Sequence, residues 1–193
     1  MNPRLGDLPR LRVTSALLVM IVTTALPAAT AIYDASIAKG MHDFDFLVGT
    51  WAVKNRRLKH LLANNSEWER FDGTLSARLY MGGQAIIDDN ALHAPAGSYR
   101  AIALRTFNPS TQKWSVWWFD SRRPNALDPP LVGGFQDGVG TFYADDSFEG
   151  KPIRVRFIWR HTAEEAHWEQ AFSPDGGSTW EVNWIMDMTR TST

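Results

Sequence analysis

The chain has 193 residues, 20 Lys and Arg against 21 Asp and Glu for a formal net charge of -1, and no cysteine. The charge balance leaves no basic footprint for nucleic acid. The absence of thiols excludes disulfides, thiolate metal sites, thiol catalysis and a lipidated-cysteine anchor. Its 9 tryptophans are the compositional oddity. They bring large apolar area with indole donors that need partners, so they make either a rich core or a pocket walled by rings.

The first forty residues read as a segment apart from the fold. Arg4, Arg10 and Arg12 precede an uncharged stretch from Val13 to Tyr33, with an apolar run from Ala16 to Val22, then Pro27 and Ala29-Thr30-Ala31. Basic, apolar, small is the order of a secretory signal peptide, and it predicts a periplasmic or secreted protein. Two other readings stay open. One is an uncleaved anchor, because the uncharged stretch is nearly long enough to span a bilayer. The other is translation from Met41, which would leave the protein cytoplasmic.

From Met41 to the C-terminus the pattern is strand after strand in one domain. The candidate strands are Phe46 to Lys59, Trp68 to Tyr80, Gln84 to Leu92, Tyr99 to Phe107 and Lys113 to Asp120. Then follow Leu131 to Phe135, Val139 to Ala144, Ile153 to Arg160, Ala166 to Phe172 and Trp180 to Thr189. Turn chemistry separates them, and such spacing indicates a sandwich or a barrel. Leu58 to Asn65 reads as a short helix or a long loop. In the last three strands Ile153, Val155, Phe157 and Trp159, then Trp168, Gln170 and Phe172, then Trp184, Met186 and Met188 alternate with polar residues. This is an antiparallel sheet with one wet face. Arg154, Arg156 and Arg160 would form a solvated ladder with acids on the neighbouring strand. Lys113 to Asp120 differs: Trp114, Val116 and Trp118 share one face, and Trp117 and Phe119 the other.

Catalytic motifs are missing. Asp88-Asp89-Asn90 lacks the glycine and distal Glu of a calcium loop, the histidines have no metal-ligand spacing, and there is no G-x-S-x-G elbow. No metal and no cofactor is expected. Asn64-Asn65-Ser66 is a formal glycosylation sequon. Ser173 to Trp180 matches S-x-D-x-G-x-x-W, the Asp-box of sialidase propellers. It occurs once where a propeller needs many repeats, so it reads as a structural hairpin.

The opening Phe44-Asp45-Phe46-Leu47-Val48-Gly49-Thr50-Trp51 carries a resemblance. Together with Met-Gly-Gly near Gly82, Tyr143-Ala144-Asp145-Asp146 and the terminal Asp-box hairpin, it resembles a bacterial calycin-like barrel family of unknown function, in the lipocalin and nitrobindin-like superfamily. The resemblance covers nearly everything after Met41. It implies an all-β, antiparallel up-and-down barrel of about ten strands. Gly49 and Trp51 would close its base, with a basic residue of the last strand over the indole. Strand parity independently places Arg190 on the apolar side. The nitrobindin-like branch holds haem through a histidine near the C-terminus, and this chain has none after His167.

The resemblance also implies a small hydrophobic or aromatic ligand in the barrel interior. Trp118, Trp159, Trp168, Trp184 and Met186 are the expected wall, with Gln170 as a polar handle. A rival class is a barrel enzyme, an isomerase, cyclase or hydrolase, using Asp89, Asp120 or Glu169. A third is an interaction module with a packed barrel, using the outer face around Trp117 and Phe119, for which a homodimer is the expected assembly.

Overall fold

A computed structural model describes residues 40–192. The expected signal peptide or anchor lies outside them. Among the described residues no helix is long and apolar enough to cross a membrane.

Ten strands follow one another: β1 (Gly49–Leu58), β2 (Trp68–Tyr80), β3 (Ala85–Ala94), β4 (Gly97–Asn108) and β5 (Lys113–Asp120), then β6 (Leu131–Gln136), β7 (Val139–Phe148), β8 (Lys151–His161), β9 (Glu165–Ser173) and β10 (Glu181–Ser192). Each pairs antiparallel with its neighbours in sequence, and β1 pairs with β10 to close the barrel. Every strand has a neighbour on each side, although β5 meets β6 only over Trp114–Val116. The all-β up-and-down barrel is therefore the architecture of this chain.

One stretch differs from the sequence reading. Phe46 to Val48 is not strand: Asp45–Leu47 is a 3-10 turn that packs across one end of the barrel, with Phe44 and Leu47 fully buried. Gly49 then takes φ 113°, a left-handed turn that an L side chain resists. This is the physical content of the glycine in Gly-x-Trp. Of the two readings for Leu58 to Asn65 the loop holds: the segment is the end of β1 followed by turns and bends.

A barrel widens as strands are added, and eight strands already enclose just enough room for side chains. Ten strands leave space that must be filled or stay open. The plugged end is filled. Phe44 meets Trp114, Phe135 and Trp159 edge to face at ring-centroid distances of 5.1, 5.0 and 5.9 Å. Here too Asp88 and Arg105, on β3 and β4, form a salt bridge inside the barrel, with Asn90 Nδ2 donating to the second Asp88 oxygen at 2.9 Å. Asp89 points outward to Arg100. The two consecutive acids thus have separate partners on opposite faces of the sheet.

The expected arginine ladder forms mostly on aromatic rings. Arg154 lies over Tyr143 at 4.7 Å and Arg156 over Trp180 at 4.5 Å, while the contact of Arg156 with Glu169 is 4.0 Å. On the outer face of β4 to β7, Trp117 and Phe119 are half-buried, and Ile102, Val132 and Tyr143 beside them are exposed.

The Asp-box is a self-bonded hairpin. Ser173 Oγ donates to Asp175 Oδ1 (2.7 Å), Gly177 N–H donates to Ser173 Oγ (2.7 Å), and Trp180 Nε1 donates to Gly177 O (3.0 Å). Thr179 holds Asp175 through its hydroxyl (2.7 Å) and its backbone N–H (2.9 Å).

Candidate functional site

The end of the barrel opposite the plug is the site. Strand alternation sends Trp118 from β5, Phe157 from β8, Trp168 and Gln170 from β9, and Trp184 from β10 toward the interior near this mouth. They enclose a cavity of about 110 Å³. Leu131, Ala144, Val155 and Phe172 complete the apolar wall, and Asp128, Pro129 and Asp146 stand at its rim. The rings are mutually edge-on: Trp118 to Trp184 at 5.7 Å and 83°, Trp168 to Trp184 at 5.5 Å and 81°, and Phe157 to Trp168 at 4.8 Å and 71°. Such T-shaped contacts fix each ring against the next.

Polar groups set the orientation of this wall. Trp184 Nε1 donates to Asn55 Oδ1 at 3.0 Å, which occupies the indole donor on the β1 side. Gln170 Nε2 donates to Asn183 Oδ1 at 2.9 Å. The Gln170 handle is therefore already tied to buried Asn183.

A second polar cluster sits beside the cavity on β1, β2, β4 and β5. Arg57 donates to Glu69 Oε1 through Nε (2.9 Å) and Nη2 (2.6 Å), and to Tyr99 Oη through Nη1 (3.2 Å). Its guanidinium carbon lies 5.5 Å from the Trp184 ring. Arg122 stacks on Tyr99 at 3.6 Å and pairs with Asp120. Burial pushes the Tyr99 hydroxyl above its usual range, against the opposing charges of Arg57 and Arg122. At Asp120 burial also works against ionisation. The hydrogen bonds and charge of Arg122 outweigh it and hold the carboxyl below the usual range.

Of the expected wall, Trp118, Trp168, Trp184 and Gln170 come together at the cavity, and Trp159 and Met186 do not line it. Trp159 belongs to the plugged end, against Phe44 and Phe46, with Arg105 5.3 Å from its ring. Met186 is buried in the core. Both have inward parity, but parity is blind to depth along the barrel axis. Phe157 and Ala144 are legible by the same parity. Asp128 and Pro129 are not, because the loop before β6 has no period.

The carboxylates weighed for catalysis do not converge. Asp89 is outside on Arg100, Glu169 is on the outer face, and Asp120 is held ionised by Arg122. An acid catalyst needs the opposite shift. Among the described residues no group of three or more His, Asp or Glu side chains could hold a metal ion. The cavity wall contains no histidine.

Neither the known family models nor the curated protein sequences contain a significant match to this chain.

Proposed function

We propose that the protein is a carrier or sensor that holds a small apolar or aromatic molecule in the open end of its barrel, without chemistry on it. The observation that carries this reading is the cavity of about 110 Å³ under Trp118, Trp168 and Trp184. An apolar cavity of about 150 Å³ admits benzene; this one is smaller, so a single ring or a compact branched group fills it and reaches the rim. A larger ligand would extend past the rim. The Phe-Leu-Val-Gly-Thr-Trp opening, the closed ten-strand barrel and the arginine over Trp51 support placement in the calycin superfamily, whose members use the barrel mouth in this way.

Titration of the purified protein with phenol and benzyl alcohol tests the reading. Saturable quenching of tryptophan fluorescence and a rise in melting temperature are expected, because a ligand bound only to the native state stabilises it. A flat response across such a panel overturns the carrier reading.

Secretion is the companion proposal, resting on the basic, apolar, small order of residues 1–40. A mature N-terminus near Ile32 is the expected result of terminal sequencing. One at Met41 overturns it.

A further inference from the structure

We infer that the molecule held in the barrel mouth is positively charged, a small organic ammonium. The inference rests on the binding reading above and names the chemistry of the ligand. Three features of the wall converge on it.

The first is electrostatic. The residues around the cavity include two carboxylates, Asp128 and Asp146, and no Lys, Arg or His. Asp128 contacts Arg123 at 3.6 Å, with both side chains well exposed, so that pair is weak and screened. Asp146 lies on β7 with the inward parity of Phe142 and Ala144. Among the described residues it makes no ion pair. Its Oδ1 accepts the Ser147 backbone N–H at 2.7 Å, a local bond that leaves its charge uncompensated. A neutral apolar guest would strip water from this half-buried carboxylate and return nothing for it. An ammonium would neutralise it.

The second is the wall. Indole has the strongest ring quadrupole for cations among side chains, and aromatic cages are the usual receptors of alkylammonium groups. Trp118, Trp168 and Trp184 form such an assembly, locked edge to face. The Arg57 guanidinium, 5.5 Å from the Trp184 ring centroid, already uses that indole, so the cation-binding rings are chiefly Trp118 and Trp168.

The third is the state of the nearby cations. An anionic guest would need a free guanidinium, and those beside the cavity are engaged. Arg57 is bound to Glu69 and Arg122 to Asp120. The mouth therefore offers uncommitted negative charge and committed positive charge.

The test compares shape-matched pairs on the purified full-length protein by calorimetry and tryptophan fluorescence. The pairs are choline with its neutral isostere 3,3-dimethylbutan-1-ol, and benzylammonium with benzyl alcohol. In at least one pair the cation should bind about tenfold tighter than its neutral partner. Asp146→Asn should remove most of that advantage, with the cation binding more weakly and the neutral compound binding no more weakly than before. If the neutral members bind as well as or better than the cations, the charge inference is overturned and the apolar carrier reading stands. The charge inference is likewise overturned if Asp146→Asn leaves the ratio unaltered. If no member of either pair binds, the inference falls together with that reading.

Discussion

The guanidinium of Arg190 lies 4.2 Å from the ring centroid of Trp51, its direct partner in the β1–β10 register. Its Nη1 and Nη2 donate to the carbonyls of Val48 (2.7 Å) and Phe46 (2.5 Å), while Trp51 Nε1 donates to Leu47 O at 2.8 Å. One residue pair thus ties the closing seam of the barrel to the turn that plugs its base. Trp51→Ala should cost about 3–5 kcal/mol, as large aromatic truncations do. Arg190→Ala should cost about 2 kcal/mol through the lost charge-assisted bonds. Urea unfolding measures both. Losses under about 1 kcal/mol at both positions would show that the seam holds without them.

Asp88 and Arg105 are both nearly inaccessible, at 1% and 3% exposure. Removing one partner leaves an uncompensated buried charge, so Asp88→Ala or Arg105→Met should each destabilise by about 3–5 kcal/mol. The double variant Asp88→Leu/Arg105→Met should be far less damaged than the sum of the single changes. A double-mutant cycle in denaturant measures this coupling, and additive losses would contradict it.

Gln170→Leu separates the site from the scaffold less cleanly than its position in the wall suggests. It removes the bond to Asn183, which is 1% exposed, and leaves that carbonyl unsatisfied. A loss of about 1–2 kcal/mol is expected in thermal or urea melts. Ala144→Leu is the better probe of the cavity. It adds apolar volume to the wall without orphaning a polar group. It should abolish the ligand-induced rise in melting temperature while shifting the ligand-free protein by less than about 1 kcal/mol.

Acid stability should depend on the Asp-box. The Thr179 hydroxyl and backbone bonds, with Ser173, hold the Asp175 carboxyl far below the usual range. Asp120 is also depressed. For both, the folded chain resists protonation more than the unfolded chain. Their stabilisation is therefore complete above the unfolded value, about pH 4, and is lost as the pH falls through the lower folded values. The melting-temperature gap between wild type and Asp175→Asn should be wide at neutral pH and narrower near about pH 2.5. A gap that is constant with pH would rule out the carboxylate as its source.

Alternation at period two is enough to find the strands and the inward face of most of them. It places Arg190 with Trp184, Met186 and Met188, and it separates Asp88 from Asp89. These are consequences of pleat geometry, which any short window of sequence carries. Depth along the barrel axis is different, because it depends on strand tilt and stagger summed around the whole closed sheet. Trp159 and Trp168, opposite one another in the β8–β9 register with rings 6.4 Å apart, mark the boundary where the packed base gives way to the open mouth. Longer-range pairings are equally hidden. Arg105 belongs to Asp88 because β3 and β4 lie side by side, and the Asn55 acceptor reaches Trp184 across the closing seam. Local pattern tells which way a side chain faces. Which distant side chain it meets, and at what level of the barrel, is settled when the sheet closes.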